Sequence, residues 1–227
     1  MELGTRAVPA RADPSLRRGL FVSFEGGEAS GKSVQAKRLA ESLRRDGRDV
    51  LLTREPGGTP LGERIRDVLL HAREVPLTPQ AQALLFSAAR AQNVHDVIAP
   101  ALREGRVVIA DRFYDSTFVY QGLAESVSRI ALEAITSFAV GDVRPDRTYV
   151  LDLPVDVALA RRHAADRAWD RFEAEGGDFH ERLRQAYLEL AAREPGRIRV
   201  IDASRDEAAV HGEVRRDLEV LLSGERR

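Results

Sequence analysis

Apolar residues along the chain alternate between short continuous runs and stretches where they recur every three or four positions. The first run, Gly19-Leu20-Phe21-Val22-Ser23-Phe24-Glu25, stops at a pair of glycines. It predicts a buried strand over 19–25 with a sharp turn at its carboxyl end. Val34, Ala36, Leu39, Ala40 and Leu43 then follow at helical spacing and predict a helix over 33–45. A second strand is expected over 49–53, a helix after Thr59-Pro60, a long helix over 79–103 and a strand over 107–111. Helical stretches between residues 116 and 140, strands over 147–152 and 197–202 separated by a helical, Arg-rich region, and a helix over 207–222 complete the pattern. Five short strands alternating with helices imply an α/β protein whose mainly parallel sheet is covered on both faces. Ligands of such sheets bind beyond the carboxyl ends of the strands, so chemistry is expected in the segments that follow them. Residues 1–18, with Pro9 and Pro14 among mixed charges, read as a disordered tail, and 19–227 as one domain without internal repeats.

Composition narrows the function. Of 227 residues 43% are hydrophobic, enough for a single well-buried core. Lysine and arginine (35) nearly cancel aspartate and glutamate (36), leaving a net charge of −1, so the broad basic field of a nucleic-acid binder is missing and no nucleic-acid partner is expected. The chain has no cysteine, which excludes a thiolate nucleophile, a disulfide scaffold and a Cys-ligated metal. No apolar run reaches membrane-spanning length, and the first eighteen residues lack the apolar stretch of a signal peptide. A cytoplasmic protein without a membrane partner is the expectation.

The turn after the first strand carries the clearest chemistry. Gly26-Gly27-Glu28-Ala29-Ser30-Gly31-Lys32-Ser33 fits the pattern G-x-x-x-x-G-K-[S/T], between a predicted strand and a predicted helix. Glycines allow successive N–H groups to face one anion, the helix N-terminus adds positive potential, Lys32 reaches terminal phosphates and Ser33 can ligate Mg²⁺. Lysine occurs elsewhere only at position 37. Such a loop serves kinases, ATPases and GTPases alike. No Asn-Lys-x-Asp element that reads guanine is present, and the third strand leads into Asp111-Arg112 rather than a switch motif, which argues against a GTPase. Arg54 and Arg112 each follow a strand, so both project over the edge that carries the loop, where guanidinium forks suit phosphate. Either alone would read as a surface ion pair. Asp111 has two open readings, a Mg²⁺ ligand acting directly or through water, or an orienting partner for Arg112.

The chain resembles the thymidylate kinase family from about residue 20 to 222. The resemblance rests on Phe24 to Ser33, on Thr53-Arg54-Glu55-Pro56-Gly57-Gly58-Thr59, on Leu84-Leu85-Phe86-Ser87-Ala88-Ala89-Arg90, on Asp111-Arg112-Phe113-Tyr114-Asp115-Ser116-Thr117 and on Asp170-Arg171-Phe172-Glu173. It implies a P-loop NTPase fold and transfer of the γ-phosphoryl group of ATP to dTMP, giving dTDP and ADP in dTTP biosynthesis, with Mg²⁺ and a homodimer. Residues 26–33 would then bind ATP, and Lys32, Arg112, Arg161 and Arg171 would be catalytic. Glu28, Arg54, Phe86, Arg90, Arg112, Thr117 and Tyr120 would bind dTMP, and Ser33 and Asp111 the metal. Phe86 and Arg90 are four apart on one predicted helix, hence on one face, so a ring and a guanidinium could meet one flat pyrimidine. Phe86 in the core with Arg90 in solvent is the competing reading. Glu28 resembles the family's reader of the sugar 3′-OH, and Thr117 and Tyr120 its contacts to the base that disfavour a 2′-OH. Residues from about 161 to 176, with Arg161, Arg162, Arg167 and Arg171, have the composition of a lid, the family's other source of cations where the loop carries Glu28 and Ala29 in place of an extra Arg. Two features depart from the family pattern: Phe113 stands where a Tyr commonly follows Asp-Arg, and the N-terminal extension is unmatched. A kinase for another deoxynucleoside monophosphate, or a non-catalytic nucleotide-binding protein, are the alternatives; the full set of cations argues against the second.

Overall fold

In a computed structural model the described residues are 19–72, 74–124, 127–164 and 170–223, so the expected tail and Arg167 lie outside them. Five strands, β1 (Phe21–Glu25), β2 (Val50–Arg54), β3 (Val107–Asp111), β4 (Arg147–Asp152) and β5 (Ile198–Asp202), form one sheet in the order β2-β3-β1-β4-β5. Every neighbouring pair is parallel, with Phe21 opposite Val108 and Val22 opposite Arg147. β1 sits at the centre and all five of its residues are fully buried, as expected of a strand covered on both faces.

Alternation along β1 sorts side chains between two layers. Val22 and Phe24 pack with Tyr149 and Leu151 against α1 (Lys32–Arg45) and α9 (Glu207–Leu222), through Leu39, Leu43, Val214 and Leu218. Phe21, with Val108 and Ala110, packs against the opposite layer, which includes α3 (Pro79–Asn93), α4 (Ala99–Arg103), α5 (Tyr114–Thr117) and α6 (Arg129–Val140). On that same side Val150 and Ile198 meet α8 (Gly177–Arg193) through Leu183, Ala186 and Tyr187.

Helix starts follow local chemistry. Thr59 and Thr78 each cap a helix, accepting from Gly62 N at 3.0 Å and Ala81 N at 3.2 Å, with Pro60 and Pro79 in the first turn of α2 (Pro60–Arg66) and α3. The expected helix over 79–103 is α3 and α4 joined by a π-helical turn, Val94–Ile98. Pro100 has no N–H to donate one turn back, and the wider turn precedes it. A second π-helical segment, Phe118–Ala124, separates α5 from α6 within the stretch read as helical from 116 to 140. The lid reading over 161–176 begins inside a helix, because α7 (Val155–His163) runs through Arg161 and Arg162.

Candidate active site

The loop from Gly26 to Ser33 rises from the buried end of β1 and turns directly into α1. Gly31 precedes the helix at φ 90°, a left-handed conformation that L side chains avoid. Gly26 is as constrained: a Cβ there would lie 2.5 Å from the Leu151 carbonyl of β4. Lys32 folds back to donate to the Gly27 carbonyl at 2.6 Å, and its burial and the neighbouring Arg112 push its pKa down to about 8. That environment has room for further negative charge, which a polyphosphate would supply.

A cavity of about 560 Å³ opens beside this loop, beyond the carboxyl ends of β1, β2 and β3. It gathers Lys32 and Ser33 from α1, Arg54 from β2, Phe86 from α3, Asp111 and Arg112 from the end of β3, Thr117 from α5 and Tyr120 just beyond it. Glu28, Ala29, Gly31 and Arg161 also line it. Gly26 and Gly27 line a smaller cleft behind the loop, and Ser30 is buried and donates to the Gly27 carbonyl at 2.8 Å. Residues remote in sequence are thus brought to one face because three parallel strands end side by side.

Two of the arginine–glutamate pairs around the cavity differ in depth. Arg112 Nη2 donates to Glu28 at 2.5 Å and to the Tyr120 hydroxyl at 3.1 Å, while Nη1 reaches the Gly26 carbonyl and the Ser116 and Tyr187 hydroxyls at 3.1–3.2 Å. Burial alone would raise the Glu28 pKa, but Arg112 and Lys32 together hold it down at about 2. Arg112 has φ 69°, a backbone conformation that costs a non-glycine residue about 1–3 kcal/mol and that recurs at functional sites. The second pair is deeper. Arg90 donates through Nε to Glu55 at 2.7 Å, and both side chains are almost completely buried. Arg90 is sealed rather than in solvent, and the half-buried Phe86 both packs against the core that includes Phe172 and Tyr187 and lines the cavity, 6.0 Å from the Phe172 ring. Arg90 Nη1 and Thr117 Oγ1 are buried without a hydrogen-bond partner. Thr117 lines the cavity, where an unmatched hydroxyl suits a polar ligand, whereas Arg90 lies behind the lining.

Asp111 sits against the loop, where both readings of it can be compared. Its carboxylate accepts from the Ser33 hydroxyl, whereas Arg112 is engaged by Glu28. The described residues contain no cluster of three or more His, Cys, Asp or Glu suited to a metal. A hydroxyl and one carboxylate fit Mg²⁺, a hard cation that keeps waters and takes phosphate oxygens for its remaining positions. Arg54 reaches the cavity rim but is paired with exposed Glu63 at 2.9 Å. The lid arginines divide. Arg161 is exposed, lines the cavity and donates to the Ala203 carbonyl at 3.1 Å. Arg171 donates instead to the carbonyls of Leu69, Ala72 and Val75 at 2.8–3.1 Å, which ties it to the segment after α2 and keeps its guanidinium out of the cavity.

Arg66 and Gln121 belong to no motif in the sequence, whereas Arg162, Asp170 and Glu173 stand in the Arg-rich stretch already read there. Arg66 projects from α2 into the cavity; Gln121, buried, follows Tyr120; Asp170 and the close pair Arg162 and Glu173 line the lid side. Arg66 and Gln121 were findable only by helical spacing from residues already singled out.

A parallel sheet in this strand order, with a G-x-x-x-x-G-K-S loop joining its central strand to the first helix, defines a P-loop nucleotide-binding protein. The family model for thymidylate kinase matches residues 24–214. Thymidylate kinases of Ectopseudomonas mendocina and Bifidobacterium longum are 48% and 47% identical to this chain, over 90% and 89% of it and 97% and 98% of their own lengths. The crystal structure of thymidylate kinase from Ehrlichia chaffeensis superposes with a TM-score of 0.71 at 32% identity, covering 88% of this chain and 99% of that one. The chain belongs to the thymidylate kinase family.

Proposed function

We propose that this protein phosphorylates dTMP to dTDP with ATP and Mg²⁺. The observation that carries the reading is the single cavity that joins Lys32 and Ser33 of the loop to Phe86, Thr117 and Tyr120. Donor phosphates and an acceptor ring can meet there.

A nucleoside monophosphate is largely a dianion near neutral pH, so its oxygen attacks without a general base. The work left to the protein is to align two anions and to neutralise them. Loop N–H groups from Gly26 to Ser33 would cradle the donor phosphates and Lys32 would reach their terminal end. Ser33 and Asp111 would hold Mg²⁺, directly or through water, and the ion would supply positive charge against the donor phosphates. Arg54 and Arg112 would take the acceptor phosphate, and Phe86 would stack on thymine against the wall that Arg90 and Thr117 form. Glu28 would turn part of its carboxylate to the sugar 3′-OH, with Tyr120 beside it. A lid over about 161–176 would bring Arg161 and Arg171 across the phosphates on closure, and Arg171 would have to release three carbonyls to do so.

Three further assignments go with this reading. Residues from 19 onward act as one catalytic domain in the cytoplasm; among the described residues no helix is long and apolar enough to cross a membrane. Two copies pair through α2, α3 and α6, which pack side by side and leave Leu84, Ile130 and Phe138 58%, 80% and 92% exposed. Light scattering at micromolar concentration checks this, and a monomer there rejects it. A coupled ADP-release assay with dTMP, dUMP, dCMP and dGMP tests the activity: dTMP should give the highest kcat/KM. Preference for another acceptor would reassign the substrate, and ATP binding without turnover would reject the enzyme.

A further inference from the structure

Directly beneath Arg112 lies a carboxylate that the proposed reaction does not use. Glu25 ends β1 and is fully buried, one residue before the loop begins. Both of its oxygens are engaged: Oε1 accepts the Phe113 backbone N–H at 2.7 Å, and Oε2 accepts the Ser116 hydroxyl at 2.6 Å and the Tyr187 hydroxyl at 3.1 Å. The same two hydroxyls receive Arg112 Nη1, at 3.2 Å each.

A hydroxyl has one proton to give. While Glu25 is a carboxylate it can only accept, so the protons of Ser116 and Tyr187, whose oxygens also lie 3.0 Å apart, run towards it directly or one through the other, and both hydroxyls present lone pairs to the guanidinium. Glu25 also fixes the peptide that follows Arg112, the residue held at φ 69°. An amide of the same shape would donate as well as accept, and one of the hydroxyls would turn its proton towards Arg112.

We infer that Glu25 is a positioning residue for Arg112, its carboxylate setting the Ser116 and Tyr187 hydroxyls as acceptors and pinning the turn after β3 so that the guanidinium meets phosphate in one geometry. The inference rests on the reading that Arg112 binds phosphate.

The surroundings give this relay a pH range. Glu25 is faced by Arg112 from the turn after β3, by Asp115 and Ser116 from α5, by Tyr187 from α8 and by Lys32 from α1. Arg197, next to β5, holds Asp115 at 2.7 and 2.9 Å. Burial, and after it the Asp115 charge, push the Glu25 carboxyl up to about 7 against the pull of Arg112. The ordering form is therefore gained as pH rises through neutrality.

The test measures kcat, both KM values and melting temperature between pH 6 and 8 for wild type, Glu25→Gln, Arg112→Ala and a Ser116→Ala/Tyr187→Phe double variant. Glu25→Gln should match wild type at pH 6 and fall about tenfold behind it at pH 8, the size expected for one misdirected hydrogen bond, with KM for ATP within about twofold. Taking the ratio to wild type removes the titration of the substrate phosphate, which both enzymes share. The double variant keeps the carboxylate but severs its link to Arg112, and should lose about tenfold in kcat while still folding; it decides the matter if Glu25→Gln does not fold. A ratio independent of pH, or a double variant with wild-type kcat, overturns the inference while leaving the function intact. Wild-type turnover in Arg112→Ala removes the phosphate role of Arg112 and the inference with it.

Discussion

The Arg90–Glu55 and Arg112–Glu28 pairs beside the cavity have the same chemistry and opposite circumstances. Arg90 and Glu55 are 1% and 3% exposed, whereas Arg112 and Glu28 are 16% and 19% exposed. Burial raises the Glu55 carboxyl above its ordinary value even with Arg90 alongside, while Glu28, shared by Arg112 and Lys32, is held at about 2. The sealed pair acts as part of a wall, its remaining contacts being the Phe113 carbonyl and the Asn93 amide. The half-open pair can exchange one carboxylate contact for a ligand oxygen. Depth, more than residue type, separates a scaffold from a reagent.

The sharpest way to break this contrast is to remove one member of each pair. Glu55→Ala leaves Arg90 buried and uncompensated and should cost about 3–5 kcal/mol, or about 6–20 °C in melting temperature for a chain of this size. Glu28→Ala should cost no more than about 1–2 kcal/mol, because Arg112 keeps its bonds to Gly26, Ser116, Tyr120 and Tyr187. Calorimetry of the two variants would refute the contrast if their losses were equal. Lys32→Ala belongs to the reagent side and should lower kcat by about 10²–10³ with a melting temperature within a few degrees of wild type. A loss of turnover that tracked a loss of fold would move Lys32 to the scaffold. Phe86→Ala tests the wall from inside the cavity: KM for dTMP should rise about tenfold with KM for ATP unchanged, and equal rises for both would mean a packing role. The exposed Arg54–Glu63 pair sets the lower limit, and Glu63→Gln should change stability by less than about 1 kcal/mol in urea titration.

Legibility in the sequence followed the same division by depth. Strand β3 coincides with the apolar run at 107–111, because a strand covered on both faces leaves an unbroken run, and β4 with the strand expected over 147–152 although Arg147 and Thr148 open it. At the edges the reading drifts: β2 and β5 end or begin a residue away, and Gly19, apolar in context, bonds to Leu102 outside the sheet. The π-helical turns were invisible, since a one-residue insertion barely disturbs a 3.6-residue period. Within the site, the loop and the strand-end arginines were legible because their backbone context is local. Glu25, Tyr187 and Gln121 were not: a Glu closing a strand and a Tyr on an amphipathic helix have no pattern until the sheet brings β1 and α8 together. Arg171 had a legible motif, yet its carbonyl partners at 69, 72 and 75 are about a hundred residues away.

The crowding around Lys32 also makes the loop chemically addressable. The chain holds only two lysines beside its 33 arginines, and the other, Lys37, is exposed on α1. Burial and Arg112 lower the Lys32 pKa to about 8, which favours the uncharged, nucleophilic amine more than at an ordinary lysine. An acylating reagent of small size should therefore modify only two side-chain amines in the whole protein. Mass spectrometry of the digested product would then read the loop directly: ATP should protect the peptide containing Lys32 and leave the acylation of Lys37 unchanged.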